Sequence, residues 1–280
     1  MNEFTVQPRI GLALGGGGLR GLAHIGVLKV LEREQLPIYA IAGTSMGGLI
    51  GAAYAAGLSA ADLEAEMLRL AKPNELVKLV DWLPQRGSLL SGDKIHSYFV
   101  DLLGRSPAFS DLKIPLALLA TDLNSGQEVV LREGSVVDAM RATMSVPGVF
   151  APFVMGNYRL ADGGLLNNVP ADVARQLGST SVIAVDVMSD FAGNQPEAFP
   201  ASLKRSLTAD LWQTLVIMMS AMSGARLEQA HPDRILRPQI PEGVTLFQGL
   251  SRASEIIAAG ETAAAQGLPH LGQLVREMAG

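Results

Sequence analysis

The chain contains no cysteine, which excludes disulfides, thiolate catalysis and a cysteine-ligated zinc site. It also lacks a basic excess. The formal net charge is −5, so no broad cationic face is available for nucleic acid. No unbroken apolar run approaches the ~18 residues that span a bilayer, and residues 1–8 carry neither the basic region nor the apolar stretch of a secretory signal. The expectation is therefore a soluble, cytoplasmic protein, peripheral at a membrane at most. What the chain has in quantity is apolar residues, 48% of 280, enough for a sizeable buried core.

Strand and helix patterns alternate along most of the length. Residues 9–14 read as a short apolar strand that runs into Gly15-Gly16-Gly17-Gly18-Leu19-Arg20-Gly21. Helical spacing follows over 22–35, with Leu22, Ile25, Leu28 and Leu31 on one stripe. A second buried strand, 38–42, leads into Gly43-Thr44-Ser45-Met46-Gly47 and an Ala/Gly-rich helix over 48–56. Further strands are expected at 115–120, 128–131, 158–160, 182–187 and 234–236, and helices at 136–144, 171–177, 203–229 and 252–266. This alternation predicts an α/β fold, three layers with a mostly parallel sheet between helices. With no repeat or linker in view, one domain over 1–280 is expected. The stretch at about 72–110, broken by Pro73, Pro84, Gly87, Gly92 and Pro107 yet still apolar, reads as a cap or insertion.

Gly43-x-Ser45-x-Gly47 between a strand and a helix has the form of a nucleophile elbow. The turn crowds positions two residues either side of the serine, favours glycine there, and leaves the hydroxyl exposed at the strand end. The helix N-terminus behind it offers the amide of Met46 to an oxyanion. A serine needs a base. Of the four histidines, His24 reads as structural, His96 as part of the interrupted stretch, and His270 follows Pro269 near the C-terminus, which leaves His231 as a fallback. Asp162, after a short strand and before Gly163-Gly164, is the other candidate, although Asp-Gly is also an ordinary turn sequence.

The glycine loop also fits G-x-G-x-x-G, but the acidic residue that a dinucleotide site places at the end of the second strand is missing. Gly-Lys-Ser/Thr is missing too, so nucleotide binding is disfavoured. An ordinary α/β-hydrolase would place its oxyanion loop after the third strand, whereas here the loop follows the first.

Glycine loop, Gly-x-Ser-x-Gly and Asp-Gly-Gly, in that order, resemble the patatin-like phospholipase family. The stretches Gly21–Leu28, Thr121–Gly126 and Arg141–Pro147 are similar to further family segments. The resemblance covers residues 8 to 190 well and the rest more loosely. It implies a Ser–Asp dyad without histidine, with Ser45 as nucleophile and Asp162 as general base. It also implies an oxyanion hole from the amides of Gly16, Gly17 and Gly18, and an Arg20 that steadies the loop or meets a phosphate head group of the substrate. The family often has aspartate where this chain has Gly15, which leaves the anchoring of the loop open. The function implied is a serine acyl hydrolase acting on lipid carboxylic esters, with no metal and no organic cofactor. The alternative is a lipid-binding or regulatory adaptor with little catalytic use. Transient contact with a membrane surface fits either, with residues 76–90 and 146–155 framing an acyl channel or a buried cap.

Overall fold

Every residue of β1 (Ile10–Leu14) is buried, the mark of a strand covered on both faces. The computed structural model describes residues 9–81, 90–189 and 207–279. After β1 come α1 (Ala23–Arg33), β2 (Ile38–Thr44), α2 (Ser45–Ala56), α3 (Ala60–Leu70), the short α4 (Pro73–Leu76) and α5 (Asp93–Leu102). β3 (Leu116–Asp122), β4 (Gln127–Leu131) and α6 (Val136–Thr143) follow, then the hairpin of β5 (Phe153–Met155) and β6 (Tyr158–Asp162). The chain continues through α7 (Ala171–Gln176), β7 (Ser181–Val185), α8 (Leu207–Ala230), β8 (Arg234–Leu236) and α9 (Ala253–Ala279).

The sheet runs β5-β6-β3-β2-β1-β7-β8, with β4 on β3 as well. Its centre is parallel, from β3 through β2, β1 and β7 to β8. β4, β5 and β6 are antiparallel additions. Period-2 alternation divides the strands between two cores. Leu12, Leu14, Ile41, Leu116, Leu118, Ile183 and Val185 face one side and pack with residues of α1, α2 and α9. Ala13, Ala42, Ala117 and Ala184 face the other and pack with Val173 and Ala174 of α7. Helices cover both faces, as the alternation of patterns predicts.

β3 explains the arrangement at the top of the sheet. Its residues 118–122 pair with β4, residues 116–119 with β2, and residues 120–122 with β6. A strand has two edges, so β6 lies on the edge that β2 has just left. β2 ends with Thr44 opposite Leu119, and β6 ends with Asp162 opposite Ala120.

One expected boundary moves. The last helix continues to Ala279 rather than stopping near 266. It packs so closely on α1 that a Cβ on Gly260 would collide with the Ala23 carbonyl, and one on Gly26 with that of Ile257. Only glycines allow these two backbones to touch. Within the stretch expected as a cap, Phe99 of α5 is buried in the same core as Leu118 and Ile50, so that part is tied to the main body. Trp82, Leu83 and Leu89, and the beginning of the helix expected at 203–229, lie outside the described residues.

Candidate active site

Ser45 follows β2 directly and opens α2 with φ +51°, a left-handed conformation that costs a non-glycine residue strain. The turn is tight. A Cβ on Gly43 would lie 2.6 Å from the Gly48 Cα, and one on Gly47 would run into the Leu14 carbonyl. This is the crowding anticipated from the Gly-x-Ser-x-Gly spacing.

The Ser45 hydroxyl and the Asp162 carboxylate line the same cavity, and the hydroxyl is near enough to lower the carboxyl's affinity for a proton. Asp162 is 3% exposed, and its Oδ1 accepts the Gly164 amide at 2.8 Å, capping a short 3-10 turn over Gly163–Leu165. Burial pushes the carboxyl up to about 6, although the Ser45 hydroxyl and the Gly164 amide pull it the other way. Asp162 is thus a turn residue whose carboxylate also reaches the cavity that Ser45 lines.

The glycine loop passes directly over this pair, since a Cβ on Gly16 would lie 3.1 Å from the Ser45 Cβ. Accounting for its amides corrects one expectation. The N–H of Gly16, expected to face the reacting centre, donates to the Asn168 carbonyl at 3.1 Å. Gly15, Leu19 and Arg20 likewise donate to the carbonyls of Val185, Leu246 and Gly17. Among the described residues, the amides of Gly17 and Gly18 have no backbone acceptor. Met46, second in α2, has no intrahelical acceptor for its amide. Of the four amides expected at the oxyanion hole, those of Gly17, Gly18 and Met46 are thus without a backbone acceptor among the described residues.

Anchoring of the loop, left open by Gly15, falls to three side chains. His24 Nε2 donates to the Gly15 carbonyl at 2.7 Å. Complete burial holds that imidazole down at about 4, hence neutral at physiological pH. Asn168 Nδ2 donates to the Gly16 carbonyl at 3.1 Å. Arg20 Nε donates to the Val187 carbonyl at 2.8 Å. Arg20 is 5% exposed and does not line the cavity above Ser45, so of the two roles open to it the contacts match loop steadying and not substrate contact.

The other histidines lie elsewhere. His96 Nε2 is 2.8 Å from Asp138. His231 precedes β8, where the Asp233 amide bonds the Val182 carbonyl. That is the N-terminal edge of the parallel sheet, opposite to the edge bearing Ser45. The His270 side chain lies outside the described residues.

Above the pair is a narrow cavity of about 60 Å³, lined by Ser45, Asp162, Gly16, Gly17, Gly18 and Asn168 at its base. Val146, Pro147, Met188, Leu215, Val216, Met219, Leu246 and Phe247 contribute its apolar walls. Val146 and Pro147 come from the 146–155 stretch singled out as a channel, but no described residue of 76–90 reaches it. Met219 faces the cavity, whereas Met218 and Met222 on the same helix are exposed. Behind the 146–147 wall lies buried Arg141, which donates to the Ser145 hydroxyl at 2.7 Å and to the carbonyls of Ser91 and Ala151 at 2.5 and 2.9 Å. Asn168 and Arg141 carry no local sequence signal of these contacts. Among the described residues there is no group of three or more His, Asp or Glu able to hold a metal ion, and no helix is long and apolar enough to cross a membrane.

Comparison with known proteins agrees with this arrangement. The chain is 34% identical over 228 residues to an uncharacterized NTE family protein of Mycobacterium bovis, covering 81% of this chain and 61% of that one. It is 36% identical over 216 residues to patatin-like phospholipase domain-containing protein 6 of Homo sapiens, 74% of this chain but only 15% of that much longer protein. Among solved structures, VipD from Legionella pneumophila superposes with a TM-score of 0.56 at 14% identity, over 95% of this chain and 67% of that one, a likeness of fold. The model of the patatin-like phospholipase family matches residues 12–175, the span that holds the glycine loop, Ser45 and Asp162. The chain belongs to the patatin-like phospholipase family.

Proposed function

We propose that the protein is a serine acyl hydrolase that cleaves carboxylic esters of lipids with Ser45 as nucleophile and Asp162 as its base. The observation that carries this reading is that Ser45 and a buried carboxylate, Asp162, meet at the base of one apolar-walled cavity, with the carboxylate's affinity for a proton raised toward neutrality by burial. A base of that strength is ionised at pH 7 and still basic enough to accept a proton during attack.

In the proposed cycle the Ser45 oxygen adds to the ester carbonyl as its proton passes to Asp162. The tetrahedral oxyanion is held by the amides of Gly17, Gly18 and Met46, aimed at the charge that develops only then. Collapse expels the alcohol, which takes the proton from Asp162, and leaves an acyl-serine. Water, deprotonated by the same carboxylate, releases the fatty acid and regenerates the hydroxyl.

The walls support a lipid acyl chain as the occupant. Beyond Asp162 the described lining contains no ionisable side chain, so a charged head group has no counter-ion there and stays outside. Met188 and Met219 are unbranched and can yield to a chain larger than the resting space.

The test is labelling by a fluorophosphonate, with hydrolysis of a p-nitrophenyl ester measured in parallel. Wild type should be labelled and Ser45→Ala should not, its hydrolysis falling by at least ~10³-fold. Esterase activity retained in Ser45→Ala would refute the reading.

A further inference from the structure

We propose that Thr143 is a positioning residue that sets the Ser45 nucleophile against Asp162, an inference that rests on the hydrolase reading above. Thr143 is the last residue of α6 and fully buried. Its hydroxyl accepts the Ser45 amide at 2.9 Å and donates to the Leu119 carbonyl at 2.6 Å. Both ends of this relay matter. Ser45 holds φ +51°, and without the threonine hydroxyl its N–H would be buried with no acceptor, a penalty that relaxes the elbow. Leu119 pairs with Thr44, and the next residue of β3 pairs with Asp162.

The threonine hydroxyl therefore links the nucleophile's backbone to the stretch of β3 that fixes the base. It touches neither the Ser45 hydroxyl nor the cavity, so its action is on the geometry of the pair. One hydroxyl with one donor and one acceptor fits the place. Valine has the shape without the hydrogen bonds, and serine has the hydrogen bonds without the methyl.

The experiment compares these variants with p-nitrophenyl butyrate and with the rate of fluorophosphonate labelling. Thr143→Val is expected to lower kcat and the labelling rate by roughly 10–100-fold, the scale of a misplaced reacting group, with KM within about twofold because the cavity walls are untouched. Thr143→Ser is expected to stay within about threefold of wild type in both, since it keeps the relay. Val at wild-type kcat, or Ser falling as far as Val, overturns the inference, because the methyl or the packing would then be what counts. If Val does not fold, Thr143→Ala against Thr143→Ser makes the same comparison, and equal rates overturn it. The two levels of failure are separable. An unlabelled, inactive wild type refutes the hydrolase reading, whereas a labelled wild type with an unaffected Val variant refutes only the role of Thr143.

Discussion

Thr44 and Asp162 stand at adjacent registers on one edge of β3, opposite Leu119 and Ala120 respectively. β2 arrives parallel to β3 and β6 arrives antiparallel, so the two strands meet end to end. The residue after Thr44 is Ser45, and the residue that ends β6 is Asp162, whose carboxylate lines the same cavity. Separated by more than a hundred positions, the pair is brought together by the pairing of β2 and β6 on β3.

Replacing Asp162 by Asn should separate activity from stability. The amide can still accept from Gly164, but the variant has no base, and kcat/KM should drop by at least ~10³-fold. The folded-state pKa of Asp162 lies above its unfolded value, so the fold binds the proton more tightly than the unfolded chain does. The ionised carboxylate therefore destabilises the fold at neutral pH, by roughly 3 kcal/mol. Urea denaturation should show Asp162→Asn more stable than wild type at pH 7, with the advantage fading as the pH falls from 6 to below 4. A variant less stable at pH 7 contradicts this account of the burial.

The pH profile of the wild type follows from the same group. kcat/KM should be level above about pH 6 and fall tenfold per unit below it, as Asp162 takes up a proton. A limb at that pH resembles that of a histidine, so the control is His231→Asn. Its ring lies beyond the opposite edge of the sheet, and the limb should remain where it was. A limb that moves or disappears in that variant would transfer the base role to histidine.

Arg141 offers a test of the wall. Its guanidinium satisfies two carbonyls and a hydroxyl in a buried setting. Arg141→Met should leave these acceptors bare and cost about 3 kcal/mol in urea denaturation. Arg141→Lys should recover little of it, because a single ammonium cannot reproduce the planar fork. Full recovery by lysine would mean that charge alone matters at this position.

The elbow and the glycine loop are legible in the sequence because each is a local object. Glycine at 43 is demanded by backbone approach within a few residues, and strand, loop and helix follow one another in order. The partner of Ser45 is not legible that way. Asp-Gly-Gly describes its turn equally well, and only the register of β6 on β3 brings it to the serine. The amide of Gly16 is a similar case, since the acceptor that occupies it belongs to Asn168, 152 residues away in the chain. α8 hides its orientation for another reason. Apolar residues surround it on all sides, so no stripe tells Met219 in the cavity from Met218 in solvent. The long reach of α9 is masked by Gly267 and Pro269, which read as a stop but lie within the helix.

The contact between α1 and α9 has a consequence for how the family core is to be understood. Gly260 abuts the first residue of α1, and the next residue, His24, grips Gly15. A buttress from beyond the span matched by the family model thus stands behind the glycine loop. A fragment trimmed to residues 12–175 would keep every candidate reacting group and lose the support that holds their canopy in place.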